Sequence, residues 1–343
     1  MMLSKERCER AIHFNCPDYP PLLHGFAGGV ILNDAEWALH ICRKYPEDFG
    51  VEDEINLPFR DPNCYKKGHK FKDDWGVIRE VSVNGIQGIV TIHPLFNWNE
   101  WPKYAPPVVE KECYRKLQTK IRKFSHSKYI AGDIPSLFET MQNLRGFENI
   151  LCDLAEKSMK IKSLADMVFK IILKAENYLC ETDCDCIRMC DDWGTQNSLI
   201  ISPDSWRDFF KPYYAELVNV AHKHNKAFWL HSCGYVLPLF PDFIEIGVDL
   251  IHPQLELLSE NEQFCDIIRG RICIVTDIDR TFFCRADPQK VYNRSLEVFQ
   301  KIYQPEGGII LRAEIGVDVP SSNREAFYKA CKDFQDRVHL TGT

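Results

Sequence analysis

From about residue 126 onward, short apolar runs alternate with amphipathic stretches of 12 to 20 residues. A brief apolar run suits a strand buried on both faces, and apolar positions three and four apart suit a helix packed on it. The rhythm therefore predicts repeated βα units around a parallel sheet. Strands are predicted at Tyr129 to Ile134, Cys186 to Asp191, Ala227 to Ser232, Asp249 to His252, Ile272 to Asp277 and Gly308 to Glu314. Helices are predicted at Ser136 to Ile150, Leu164 to Leu179, Pro203 to Lys223, Leu237 to Ile246, Asn261 to Arg269, Asp287 to Tyr303 and Asn323 to Val338. The third begins at Ser202-Pro203-Asp204, where a hydroxyl can accept from free backbone N–H groups, proline suits the first turn and a carboxylate complements the helix dipole. An earlier strand around Leu22 to Phe26 brings the count to seven of the eight that a (β/α)₈ TIM barrel needs. An open doubly wound sheet is the competing fold, but no Gly-rich phosphate turn follows a first strand.

The stretch 48–107 breaks the rhythm. Val77 to Val83 and Gly88 to His93 read as a β-hairpin across Asn84-Gly85, so this stretch is expected to be an insertion or lid beside the barrel mouth of a single domain spanning 1–343.

Composition narrows the function classes. Apolar residues make up 45% and charged residues 27%, a globular balance that excludes disorder as the main state. A formal charge of -7 gives no general attraction for nucleic acid or an anionic membrane. The start, Met-Met-Leu-Ser-Lys-Glu-Arg, reaches charged residues at once, so a cytoplasmic protein is expected. The 15 cysteines then read as thiols and metal ligands rather than a disulfide framework. Cys180, Cys184, Cys186 and Cys190 fit no standard zinc or iron–sulfur spacing and read as ordinary thiols.

The sharpest chemical feature is Trp229-Leu230-His231-Ser232-Cys233-Gly234. Residues two apart on a strand face the same way, so His231 and Cys233 would project together at a strand's carboxyl end as half of a zinc site. The same pair also reads as a buried histidine and cysteine beside a turn. Glu314, at the end of the last strand, could complete a His/Cys/Glu set with the fourth position open, or could be a surface carboxylate. Asp191-Asp192, followed by Trp193-Gly194-Thr195-Gln196, could serve proton transfer or substrate binding, or merely cap the next segment. His24, Asp133, His252, Gln254, Asp277 and Asp279 also fall at predicted strand ends, where barrel enzymes place their chemistry.

Several segments together resemble the uroporphyrinogen decarboxylase superfamily. They include Ser4-Lys5-Glu6-Arg7, Pro17-Asp18-Tyr19-Pro20, Asp74-Trp75-Gly76, His93-Pro94-Leu95, Leu144-Arg145-Gly146-Phe147-Glu148-Asn149, Asp191 to Gln196, Phe210-Lys211-Pro212-Tyr213 and His231-Ser232-Cys233-Gly234. The resemblance covers nearly the whole chain and implies a (β/α)₈ barrel. True decarboxylases carry an arginine-containing segment after the first strand, whereas here that stretch reads Leu23-His24-Gly25-Phe26-Ala27-Gly28-Gly29. The His-x-Cys pair is similar to the zinc motif of the corrinoid-linked methyltransferase branch. Thiol-methylating members add a cysteine on the last strand, where this sequence has Glu314 and Ile315.

The resemblance thus implies a zinc methyltransferase that moves a methyl group between a small donor and a corrinoid. No Asp-x-His-x-x-Gly corrinoid segment occurs in this chain, so the corrinoid is expected on a partner protein. Expected roles are His231, Cys233 and Glu314 on zinc, Asp191 and Asp192 in catalysis, and His24, Trp193, Gln196, Tyr213, Tyr235, His252, Gln254 and Asp279 around the substrate. A carboxylate in place of a thiolate makes zinc more electrophilic, which favours a leaving oxygen. With the aromatic residues, this selects an aryl methyl ether as donor. The alternatives are transfer from a methylcorrinoid protein to a thiol or tetrahydrofolate, a tetrapyrrole decarboxylase, and a non-enzymatic zinc-stabilised module.

Overall fold

The computed structural model describes residues 2–50 and 62–341. A small antiparallel sheet of order β1-β2-β3 is formed by β1 (Lys70–Lys72), β2 (Ile78–Glu80) and β3 (Ile89–Ile92). The hairpin read across Asn84-Gly85 corresponds to the β2–β3 pair, joined through Ile78 with Ile92 and Glu80 with Ile89.

The second sheet is parallel and runs in chain order through β4 (Ala131–Asp133), β5 (Cys186–Cys190), β6 (Ala227–Ser232), β7 (Leu250–Pro253), β8 (Cys273–Val275) and β9 (Ile309–Ile310). Two further segments close it into a ring. Leu22 and Phe26 bridge in parallel to Leu311 and Ile315, and Phe49 bridges to Tyr129. The Asp48 N–H donates to the Leu22 carbonyl at 2.9 Å, and the Gly50 N–H donates to that of Tyr129 at 2.7 Å. The result is a (β/α)₈ barrel whose second staff is residues 48–50. The expected boundary of the insertion is corrected accordingly: 48–50 belong to the barrel, and 51–61 lie outside the described residues. One apolar residue between Asp48 and Gly50 is too little for any periodicity to register.

Helix continuity also differs from the pattern. The helix expected over Ser136 to Ile150 is two, Phe138–Arg145 and Phe147–Ala155. They part at Gly146, whose φ of +88° suits a residue without a Cβ. The helix expected over Pro203 to Lys223 divides into Pro203–Phe209 and Lys211–Lys223, with Pro212 in the first turn of the second, where proline removes no needed donor.

Inside the ring, Leu23, Phe49, Tyr129, Cys186, Trp229, Leu250, Cys273, Val275 and Ile310 form an apolar plug, sealed below by Cys8 and Ile12. Several cysteines thus act as small core residues, and no disulfide forms among the described residues. A larger apolar layer lies between strands and helices. Toward the carboxyl ends of the strands the interior turns polar, with Asp133, Arg188, His231, His252, Asp277 and Arg312 above the plug. Alternation along each strand sends these side chains inward with Trp229, Leu250, Val275 and Ile310. No helix among the described residues is long and apolar enough to cross a membrane.

Candidate metal centre

The site is built where β5 and β6 leave the barrel floor. Cys190 pairs with His231 in the parallel register, so the loops that follow run side by side. Their backbones touch: the Gly194 N–H donates to the Cys233 carbonyl at 3.0 Å. A Cβ on Gly194 would lie 2.5 Å from the Gly234 carbonyl carbon, and Gly234 itself has a φ of +81°. Only a glycine pair allows this approach. It sets the Asp192 carboxylate over the β6 exit, where Oδ1 accepts the Cys233 N–H at 2.8 Å.

His231 is oriented by its far nitrogen. Nδ1 lies 2.8 Å from the His252 carbonyl, so it carries the proton and leaves the Nε2 lone pair toward the cavity. Nε2 is 3.2 Å from Cys233 Sγ and 3.5 Å from Asp192 Oδ1. Donor atoms of Asp192, His231 and Cys233 all lie within 4.8 Å of one another. Zinc bonds of about 2.0 to 2.3 Å at tetrahedral angles separate N from O or S by roughly 3.4 to 3.6 Å, so this donor set fits zinc in spacing and chemistry.

The electrostatics point the same way. Burial, then Asp192, Glu314 and Asp277, push the Cys233 thiol up, and burial lowers His231. A thiol among three carboxylates ionises only when a cation is supplied.

The carboxylate that the geometry brings within reach of His231 and Cys233 is Asp192, where Glu314 was expected. Glu314 opens on the same mouth, but its Oε1 lies 3.7 Å from Arg280 Nη1. Asp191 is fully buried and engaged with the fold. Its carboxylate accepts the N–H groups of Leu137, Phe138 and Glu139 at 3.0, 2.7 and 2.8 Å and the Tyr214 hydroxyl at 2.5 Å. Burial nevertheless pushes its pKa up to about 7. It anchors the start of the Phe138–Arg145 helix.

Of the residues expected around the substrate, His252 stands beside the cluster on β7, and Gln254 and Tyr235 follow the ends of β7 and β6. The His252 ring lies 4.6 Å from that of His231. Gln196 is exposed on the loop after Asp192. Four others belong to packing. His24 is buried, with Nε2 2.8 Å from the Tyr45 carbonyl and its ring against Phe26 and Tyr328. Trp193 is buried, stacked on Phe138 and hydrogen-bonded to Tyr214. Tyr213 donates to Asp166 on the helical layer. Asp279 caps the helix Arg280–Arg285 through the Phe282 N–H. Strand-end position alone does not say which way the chain turns next.

Two groups at the mouth escaped the sequence reading. Glu139 is half-buried, and burial followed by Asp191 and Asp192 pushes its carboxyl up to about 8. In the sequence it forms Ser136-Leu137-Phe138-Glu139, the pattern of an ordinary capping box. Arg312 reaches inward from the last strand, and its Nη1 lies 2.7 Å from His252 Nε2. A surface cleft of about 360 Å³ lined by Glu6, Arg10, His13, Tyr129 and Asp185 opens at the amino ends of the strands, away from all of these groups.

Residues 80–334 match the family description "Uroporphyrinogen decarboxylase (URO-D)". The chain belongs to the uroporphyrinogen decarboxylase family. Among solved structures it is similar to a methyltransferase from Methanosarcina mazei. The TM-score is 0.69 at 17% identity, covering 97% of this chain and 99% of that one, a likeness of fold over essentially the full length. A dihydropteroate synthase from Anaplasma phagocytophilum gives 0.39 at 15% identity over 61% and 76% of the two chains. A xylanase from Gloeophyllum trabeum gives 0.42 at 9% over 65% and 80%. No curated protein matches. Within the uroporphyrinogen decarboxylase family fold, the β5 and β6 exits thus carry an N/S/O donor cluster in this chain.

Proposed function

We propose that the protein is a zinc-dependent methyltransferase that moves a methyl group from a small methylated donor, best an aryl methyl ether, to a corrinoid held by a separate protein. The observation that carries this reading is the convergence of Asp192, His231 and Cys233 at the strands' carboxyl ends. The full-length likeness of fold to a methyltransferase supports it.

When bound there, zinc supplies a Lewis acid that draws electron density from the donor heteroatom. The chain's own residues do the rest. His252 fixes the His231 tautomer through its carbonyl. The Asp192 carboxylate is held by the Cys233 N–H, so two donors share one backbone joint. Glu139, whose carboxyl is pushed up to about 8 by burial, Asp191 and Asp192, is placed to hold a proton beside Asp192 for a departing oxygen. The apolar plug closes the barrel beneath the site, so substrate and corrinoid approach from the open mouth alone.

A tetrapyrrole decarboxylase needs several cations for its substrate's many carboxylates. Of the arginines around this mouth, Arg188 is paired at two points with Asp133, at 2.5 and 2.9 Å, and Arg280 lies 3.2 Å from Asp318, which leaves Arg312 where several cations are needed. A zinc-stabilised module would need the metal for folding, whereas the apolar plug and the outer layer contain none of the three donors. The discriminating experiment is metal analysis followed by chelation. About one zinc per chain is expected, with circular dichroism unchanged on its removal. Unfolding on chelation would favour the structural module, and decarboxylation of uroporphyrinogen by the metal-free protein would favour the decarboxylase.

A further inference from the structure

Among the described residues Arg312 is a cation that no carboxylate contacts directly; Asp277 acts on it only through space. Its side chain enters the barrel from the last strand and meets His252, with Nη1 2.7 Å from Nε2 and 3.4 Å from Nδ1. Because a guanidinium only donates, His252 Nε2 must accept, and the imidazole is the neutral form. The arginine therefore gains a hydrogen bond there but no neutralising charge.

The nearby carboxylates do not reach its N–H groups. Asp277 accepts the Glu314 N–H at 2.8 Å, and its other oxygen lies 3.7 Å from His252 Nε2. Glu314 faces Arg280. Among the described residues Arg312 forms no ion pair. Its remaining N–H donors are a fork of the geometry that a planar oxyanion fills.

The space around it is cleared by a neighbour. Gly25 lies on the first barrel segment, and a Cβ there would stand 3.2 Å from Arg312 Cζ and 2.1 Å from the Ala313 carbonyl oxygen. This is the segment in which the sequence lacks an arginine, and its glycine makes room for one arriving from the last strand. One imidazole, that of His252, separates the guanidinium from His231 and the metal-ligand cluster.

We propose that Arg312 is a specificity-determining residue that binds a carboxylate on the methyl-bearing substrate and so sets its heteroatom toward Asp192, His231 and Cys233. The proposal rests on the methyltransferase reading for the role of that heteroatom. The anion site itself stands on Arg312, His252 and Gly25 alone.

The test is calorimetric binding of two probes of nearly equal shape, 3-methoxybenzoate and 3-methoxytoluene, to the zinc-loaded protein. Wild type should bind the acid at least tenfold more tightly than the neutral ether. Arg312→Met should weaken the acid about 30-fold and leave the ether unchanged, with zinc stoichiometry intact. Arg312→Lys keeps the charge but not the fork, and should fall between the two. Equal binding of acid and ether by wild type, or undiminished acid binding by either folded variant, overturns the proposal. Transfer of methyl to cob(I)alamin is followed in the same samples. Its absence with every donor would remove the methyltransferase reading, while the ratio of acid to ether binding still decides the role of Arg312.

Discussion

Glu176 offers the cleanest quantitative test of the packing. It lies on the helix Met159–Cys180, is fully buried, and neither carboxyl oxygen has a hydrogen-bond partner among the described residues. Burial, with a smaller contribution from Glu216, pushes its carboxyl from 4.5 up to about 9. Below pH 4.5 the group is protonated whether the chain is folded or not, and its ionisation costs nothing. As pH rises toward 9, the unfolded chain ionises while the folded protein keeps its proton, so stability falls throughout that window and levels off above it. Between pH 5 and 8 the loss from this residue is about 4 kcal/mol. Glu176→Met fills the same space without a titrating group. The variant should exceed wild type by about 1 to 2 kcal/mol at pH 5 and by about 5 kcal/mol at pH 8. Urea unfolding followed by circular dichroism at the two pH values measures both differences. An equal gain at pH 5 and pH 8, or a loss at either, would refute the assignment of a neutral, unpartnered carboxyl.

The remaining predictions concern the metal centre and its supports. Asp192→Asn, His231→Ala and Cys233→Ala should each lower zinc affinity by tenfold or more while the barrel stays folded, whereas Glu314→Gln should change it less than Asp192→Asn; competition with a chromophoric chelator ranks all four. Asp191→Ala strands three buried N–H groups and should cost about 4 kcal/mol of stability, and Tyr214→Phe, which loses one hydroxyl bond, about 1 to 2 kcal/mol, both read from denaturant midpoints. Gly234→Ala sets a Cβ 2.2 Å from the Gly194 carbonyl carbon and should both destabilise the fold by about 2 kcal/mol and reduce zinc content, since the joint that carries Asp192 would have to open. Zinc retained in full by Gly234→Ala would separate the glycine contact from the metal site.

How much of this was legible in the chain depended on how local its cause is. The βα rhythm exposed seven barrel segments because each apolar run is long enough to show a period, while residues 48–50 are held by pairing with Leu22 and Tyr129 from distant parts of the chain. His231 and Cys233 were readable because strand alternation puts them on one face. Asp192 was read as chemical, but its place beside them depends on the Gly194–Gly234 contact, which joins residues forty apart. His24, Trp193, Tyr213 and Asp279 were drawn in by position, yet a buried carbonyl, a stacking ring, an outer helix and a free helix end claimed their side chains. Arg312 carries no signal of a role in the sequence, since its relation to His252 and Gly25 exists only once the barrel closes.

The central claim is tested most directly by mixing the zinc-loaded protein, a methoxyaromatic donor and cob(I)alamin, and following methylcobalt formation by its visible spectrum. The account predicts methylcobalamin formation that stops when zinc is removed, returns when zinc is restored, and is abolished in Cys233→Ala. Methyl transfer that proceeds equally well without zinc, or no transfer from methyl ethers, methylamines or methylated thiols offered in turn, would contradict it.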